Sequence, residues 1–291
     1  MKFGSVFVLF NPDEEVIEKI NKYSEEFTSM KIVVVDNSYN DNEYPSVFND
    51  TVSFISNKNI GGIAGALNKG INYLISQNVD FVFTFDQDSH IPSDFFEKMQ
   101  SFIYDHKADA VCPIFFDRNS ETYSVFVTFN KWNYDIVESG VITSTAITSG
   151  MGISAKVWNE MEGMREDYII DHVDTYYCLE LCRKGVDIFI NRDICLNHAI
   201  GERTKHKLLG VTFKPNHHSA LRKYYIIRNG LHSSLDFLKD YPSYFYLNFL
   251  RTVHEFVCVI FYEKDKRKKL KLMLLGLYHG FVGKLGPYLG K

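Results

Sequence analysis

Long hydrophobic runs are missing from this chain, and each further scarcity removes a class of function. No apolar stretch in the 291 residues is long enough for a transmembrane helix. The first residues, Met1-Lys2-Phe3-Gly4, enter a strand-like run without the charged and apolar regions of a signal peptide. Both features lead to the expectation of a cytoplasmic location. Cysteine is sparse and unpatterned: five residues, an odd number without a Cys-x-x-Cys pair, point to reduced thiols rather than a disulfide framework. Cys178 and Cys182 stand one helical turn apart and read as small buried side chains ahead of metal ligands. Positive charge is not in excess, since the formal net charge is -4, and nucleic acid is therefore not expected as a partner. Glycine is absent from the first turn, Asn11-Pro12-Asp13-Glu14, which counts against the phosphate loop of NAD or FAD proteins. That turn equally lacks the Gly-rich, Arg/Lys-containing loop of a nucleotidyltransferase.

Hydrophobic residues make up 45% of the chain and aromatic residues 15%, enough for a substantial core in one large domain, with or without an appendage. Residues 5–10 and 31–35 read as strands buried on both faces, 52–56 as a weaker strand, and 79–85 as another buried strand. Helical spacing separates them over 13–27 and 63–77, a helix follows at 94–104, and residues 121–148 read as an antiparallel excursion. Alternating strands and helices predict an α/β fold with a mostly parallel central sheet flanked by helices.

Such sheets bind ligands beyond the carboxyl ends of their strands. Three strands here end in polar residues: Asn11, Asp36, and the pair Asp86 and Asp88. In an extended chain residues i and i+2 point to one side, so Asp86 and Asp88 can converge on a hard cation such as Mg²⁺ or Mn²⁺. An Asp-rich turn is the plainer alternative. Gly61-Gly62 precedes a helix and allows either close approach to an anion or an ordinary turn. A second acidic group, Asp171-His172-Val173-Asp174, opens the helix predicted over 175–184. One of its carboxylates could cap that helix, but two carboxylates and a histidine exceed what a cap needs. His198 becomes a ligand candidate only alongside the Asp86/Asp88 pair. Arg222 and Arg228, on a later helix, could hold a diphosphate. The section 242–285 is helical and carries the basic run Lys264, Lys266, Arg267, Lys268, Lys269 and Lys271 beside Leu270, Leu272, Met273, Leu274, Leu275, Leu277 and Tyr278. It fits either an anionic membrane surface or packing on the core or in a homodimer.

The ordered set Phe10-Asn11-Pro12, Val35-Asp36-Asn37-Ser38, Asn59-Ile60-Gly61-Gly62 with Ala64, Asn68 and Gly70, and Asp86-Gln87-Asp88-Ser89 resembles family 2 inverting glycosyltransferases of the GT-A fold. Ile170-Asp171-His172-Val173-Asp174-Thr175, Asn197-His198 with Gly201, and Arg222-x-Tyr224-Tyr225-x-x-Arg228-Asn229 resemble the rhamnosyltransferase-like branch. The likeness covers about residues 4–230 and implies a catalytic domain over 1–230 with a C-terminal helical region over 231–291.

The resemblance implies a nucleotide-sugar donor, dTDP-L-rhamnose in the first instance, held by Asn11, Asp36, Asn59, Gly61, Gly62, Asn68, Asp86, Gln87, Arg222 and Arg228. It implies Mg²⁺ or Mn²⁺ at Asp86, Asp88 and His198, and a base at Asp171. Asp171-His172 stands where the family more often has Glu-Asp, so Asp174 is a second candidate for the base. The implied acceptor is a lipid-linked or growing cell-surface polysaccharide, and the implied place is the inner face of the cell membrane. UDP-hexose or UDP-galactofuranose donors, or a non-catalytic assembly subunit, are the alternatives.

Overall fold

The computed structural model describes residues 1–40, 47–117, 122–198, 206–208 and 211–290. Its first half follows the expected alternation: β1 (Phe3–Leu9), α1 (Glu14–Glu26), β2 (Lys31–Asp36), β3 (Val52–Ser56), α2 (Gly62–Ser76), β4 (Phe81–Asp86), α3 (Phe95–His106) and β5 (Ala110–Asp117). The excursion that follows holds β6 (Thr122–Tyr123), β7 (Val127–Phe129), β8 (Tyr134–Ile136) and β9 (Ile142–Thr143). Then come β10 (Gly152–Ser154), α4 (Ala155–Glu160), α5 (Val173–Arg183) and β11 (Ile188–His198). A small hairpin of β12 (His206–Leu208) and β13 (Val211–Phe213) leads to α6 (Ala220–Asp236), α7 (Pro242–Tyr262) and α8 (Lys266–Phe281). Where two short runs are expected over 186–196, β11 is one strand with a register shift between Asn191 and Cys195.

The main sheet runs β3-β2-β1-β4-β10-β5-β11-β9, with β6 on β5. Strands β3, β2, β1 and β4 are mutually parallel, while β10 enters antiparallel between β4 and β5. The chain leaves β1 toward β2 on one side and returns as β4 on the other. The crevice that forms at such a reversal lies over the carboxyl ends of β1 and β4.

Period-two alternation sorts the strand residues onto two cores. Val6, Val8, Val33, Val35 and Val82 face α2, α4 and α5, whereas Phe7, Leu9, Phe81, Phe83 and Phe85 face α1 and α3. The second face is an aromatic lattice in which Phe85 meets Phe95 edge-on at 5.4 Å between ring centroids. A strand covered on both faces explains why β4 has no polar residue before its end except Thr84, whose hydroxyl donates to the Thr148 carbonyl at 2.5 Å. All five cysteines are unpaired, and Cys112, Cys178 and Cys258 are buried.

Helix α6 runs unbroken through Gly230, so the boundary expected there falls inside a helix. Helices α7 and α8 pack on α6, and Leu272 and Met273, set beside the basic run in sequence, are buried in that contact. Two glycines of α8 let the backbones touch: a Cβ at Gly280 would stand 2.5 Å from the Arg228 carbonyl oxygen, and one at Gly276 2.8 Å from that of Tyr224. Among the described residues no helix is long and apolar enough to cross a membrane. Overpacking the α6–α8 contact with Gly280→Ala should lower unfolding stability by about 1–3 kcal/mol. Urea denaturation measures it, and an unchanged midpoint would show that α8 is not bound tightly to α6.

Candidate active site

A cavity of about 660 Å³ opens over the ends of β1 and β4. One wall carries Asn37, Tyr39 and Asn59, the floor Asp86, Gln87 and Asp88, and the far wall Ile169, Ile170, Arg222 and Tyr225. Of the expected donor residues, Asn59, Asp86, Gln87 and Arg222 therefore meet in one space, together with Asp88. Asp86 is half-buried at the strand end and Asp88 is exposed. His198 ends β11, and its side chain lies outside the described residues. Among the described residues no cluster of three or more His, Cys, Asp or Glu side chains could hold a metal by itself.

Other expected contacts have different work. Asp36 is buried, and one carboxylate oxygen accepts from the Ser38 amide (2.9 Å) and hydroxyl (2.6 Å). That hydroxyl oxygen in turn accepts from the Asn11 amide at 2.7 Å. Asp36 and Asn11 thus set the turn that places Asn37 on the cavity wall. The Asn37 amide group donates to Asn59 Oδ1 at 3.0 Å and accepts from Asn57 Nδ2 at 2.8 Å. Gln87 accepts from the Phe10 amide through its side chain at 2.7 Å, and its carbonyl accepts from Lys19 Nζ at 2.7 Å. It locks the ends of β1 and β4 together at the cavity floor.

Gly61, Gly62, Asn68 and Arg228 do not line the cavity; they hold the loop before α5. Gly62 has φ +63, and a Cβ there would stand 1.9 Å from the Ile169 carbonyl oxygen, which accepts the Ile63 amide at 2.9 Å. A backbone carbonyl thus occupies the close approach that the sequence left open for an anion. A Cβ at Gly61 would meet the Glu166 side chain at 2.6 Å. Asn68 donates to the Met164 carbonyl and to Glu166 Oε1, both at 2.9 Å, and accepts the Met164 amide at 2.8 Å. Arg228 is wholly buried, and its guanidinium donates to the Asp167, Tyr168 and Gly286 carbonyls and to Asn229 Oδ1. Next to it, Asn229 Nδ2 lies 2.8–3.0 Å from the carbonyls of Tyr168, Ile170 and Asp171.

The loop so held is strained. Ile169, Asp171 and His172 all have positive φ, a costly state for non-glycine residues and above all for a β-branched one. His172 begins α5 without a side-chain cap bond, and Asp174 accepts its neighbour's amide, Thr175 N–H, at 2.7 Å. Asp171 faces Arg222, with Nε and Nη2 both 3.2 Å from its carboxylate. Burial pushes the Asp171 carboxyl above the usual carboxylate range, and the Arg222 charge pulls it partly back. Asp174 is raised too, first by burial, with the Asp171 charge adding to it. Burial lowers His172 to about 4, so it is neutral near pH 7. It borders a second cavity of about 390 Å³, shared with Asn248, Arg251 and Glu255 of α7.

Sequence reasoning missed three parts of the cavity. Phe10 and Tyr39, exposed at its mouth, meet edge-on at 5.9 Å and present flat apolar surface. Their signal was position alone, each aromatic lying just beyond a strand end. Ser219 caps α6 by accepting the Arg222 amide at 3.2 Å, and the first turn of that helix lines the wall. The positive end of a helix favours an anion there.

Asp174→Asn should raise the melting temperature near pH 7. With its folded pKa raised, the native carboxyl contributes most when protonated, and that contribution is lost as pH rises through the folded pKa. Asparagine keeps an acceptor for Thr175 without the charge, so the gain should vanish below the unfolded carboxylate pKa of about 4. A pH series of thermal melts checks it; an equal gain at all pH values would refute the cause.

The glycosyl transferase family 2 profile matches residues 14–162. The dTDP-rhamnosyl transferase RfbF of Shigella flexneri is 30% identical over 234 residues, covering 77% of each chain. Among solved structures, residues 1–349 of S. aureus TarS superpose with a TM-score of 0.62 at 12% identity, over 96% of this chain and 81% of that one. GalNAc-T7, solved with UDP, GalNAc and Mn²⁺, gives 0.58 at 12% identity over 84% of this chain, which spans 49% of that longer chain. These two likenesses bear on the fold, and they match the mostly parallel α/β sheet seen here and the GT-A fold that the motif resemblance implies. With half the chain under the family profile and a relative matched over most of its length, the chain belongs to glycosyltransferase family 2.

Proposed function

We propose that this glycosyltransferase moves L-rhamnose from dTDP-L-rhamnose to a hydroxyl group of a lipid-linked or growing cell-surface polysaccharide, inverting the anomeric carbon. The observation that carries the donor is the 30% identity over 77% of the chain to a protein named for dTDP-rhamnosyl transfer. The cavity supplies fitting chemistry. Phe10 and Tyr39 offer ring faces to a base, Asn37 and Asn59 offer amides to base or ribose, and Arg222 with the first turn of α6 offers positive charge to a diphosphate. Asp86 and Asp88 are two oxygen donors on the floor. One or two carboxylates completed by substrate phosphates are what Mg²⁺ usually takes, and Mn²⁺ favours the same oxygen ligands. A bound cation there would neutralise charge on the departing diphosphate. A Mn²⁺ complex of the fold neighbour GalNAc-T7 supports this reading.

Asp171 is our choice of base. A raised carboxyl beside Arg222 can take a proton from an acceptor hydroxyl more readily than an ordinary one. Single displacement then needs no covalent nucleophile, and inversion follows. Asp174 stays the rival. The acceptor places the work on the inner face of the cell membrane. UDP-hexose and UDP-galactofuranose remain the competing donors, because the fold neighbours were solved with UDP and, for TarS, with UDP-GlcNAc.

Thermal-shift and turnover panels of dTDP-L-rhamnose against UDP-sugars, with and without Mg²⁺ or Mn²⁺, test the proposal. A cation-dependent shift and turnover confined to dTDP-L-rhamnose is expected. A response only to UDP-sugars would overturn the donor, and no turnover with any donor and acceptor would favour a non-catalytic assembly subunit. Asp86→Ala and Asp88→Ala should each abolish transfer while leaving the melting temperature near wild type; full activity in both would remove the cation site. Asp171→Asn should cost about 10²–10⁴-fold in kcat, and a smaller loss than in Asp174→Asn would transfer the role of base. Arg222 lowers the Asp171 pKa, so Arg222→Met should move the acid limb of the kcat/KM profile to higher pH. An unmoved limb would separate Asp171 from the observed ionisation.

A further inference from the structure

Helix α7 turns the wrong face outward for an ordinary surface helix. At 100° per residue, Tyr246, Phe249, Leu250, Val253, Val257, Ile260 and Phe261 fall on one side within about 120°. All but Val257 are exposed large hydrophobics, with Tyr246 at 57%, Phe249 at 55% and Phe261 at 58%. The only charged residues of the helix, Arg251 and Glu255, lie off that stripe, and Glu255 is bonded to Lys223 on the inner side. The stripe continues into an apolar groove of about 310 Å³, where Phe249, Val253 and Val257 meet Leu277 of α8. Helix α8 adds exposed Leu274, Tyr278 and Phe281 along one edge.

Beside this apolar surface lies a cationic turn. Lys264, Lys266, Arg267, Lys268 and Lys271 are exposed, with Asp265 the one acid among them. Lys269 is not part of that field, being buried against Glu263 at 2.7 Å. This concentration of positive charge stands on a chain whose net charge is -4.

We propose that the outward face of α7 and the α7–α8 turn rest on an anionic lipid bilayer, the helix lying in the plane of the surface. This deepens the inner-membrane placement in the proposed function and rests on that reading for where the acceptor is met. Apolar rings enter the boundary between headgroups and acyl chains, tyrosines sit at its polar edge, and the lysines and arginine meet anionic headgroups. The lipid contact is thus α7, with the tail of α8, while Leu272 and Met273 beside the basic run serve the core.

Flotation of the 291-residue chain with phosphatidylcholine vesicles, with and without phosphatidylglycerol, tests the contact. The wild type should float with the anionic vesicles, lose affinity in high salt, and stay unbound to neutral ones. Phe249→Asp combined with Phe261→Asp should stay at the bottom of the gradient with an unchanged melting temperature. Replacing the five exposed cations by glutamine should lower partitioning about fivefold per charge removed. Wild-type protein that does not float, or a Phe249/Phe261 variant that floats as wild type, would overturn the proposal. So would a wild-type dimer that the same variant splits without any vesicle binding, which would make this face a contact between copies. Turnover of dTDP-L-rhamnose in vesicle-free solution, read in parallel, reports on the donor reading separately.

Discussion

The grip of Arg228 and Asn229 on the backbone of residues 167–171 is the interaction on which the candidate site depends. Three residues of that neighbourhood sit at positive φ, a state that persists only where the surroundings over-determine it. Here the determination comes from two sides. Helix α6 presents fixed donors to the carbonyls of Asp167, Tyr168, Ile170 and Asp171, and α2 presents the Ile63 amide to that of Ile169. Each partner is buried or backed by a helix. The result is a carboxylate, Asp171, fixed beside Arg222 between Ile170, which lines the first cavity, and His172, which borders the second, while lining neither itself.

The same helix carries a buried charge network on its other side. Lys223 is fully buried and donates to Asn216, Glu255 and Glu263, and Glu263 also accepts from Lys269. Buried ion pairs rarely add net stability over well-packed apolar groups, but removing one partner costs much. Their effect here is registration: they fix α6, α7 and α8 against one another and so fix where Arg222, Arg228 and Asn229 point. After burial and Arg222, two members of this network also bias the field at Asp171, Glu255 raising and Lys223 lowering its pKa.

How much of this was legible in the sequence depended on range. Residues 79–88 announced both a buried strand and its carboxylate terminus, because period, burial and abrupt polarity are all local signals. The parallel sheet followed from alternation. Asn68, Gly62 and Arg228 were recognisable as unusual, but their partners lie about 60–110 residues away in the chain. A buried asparagine closing on a loop carbonyl looks in one dimension like an asparagine reaching for a sugar. Asp36 shows the same limit, since its partner Ser38 is local while the surface it shapes is presented by Asn37. The outward face of α7 was hidden for another reason: periodicity shows that a helix has an apolar stripe, not which way the stripe is turned.

No residue of α7 or α8 lines the cavity over the ends of β1 and β4, whereas α7 forms much of the cavity that His172 borders. The two chambers on either side of the strained loop share α6, with Tyr225 on the first and Ile226 and Ile227 on the second, but the sheet ends wall only the first and α7, more than twenty residues further on, only the second. Drift in α7 can reshape the second chamber while the sheet-side walls of the first stay as they are, so the two spaces can change shape at different rates as the fold diverges.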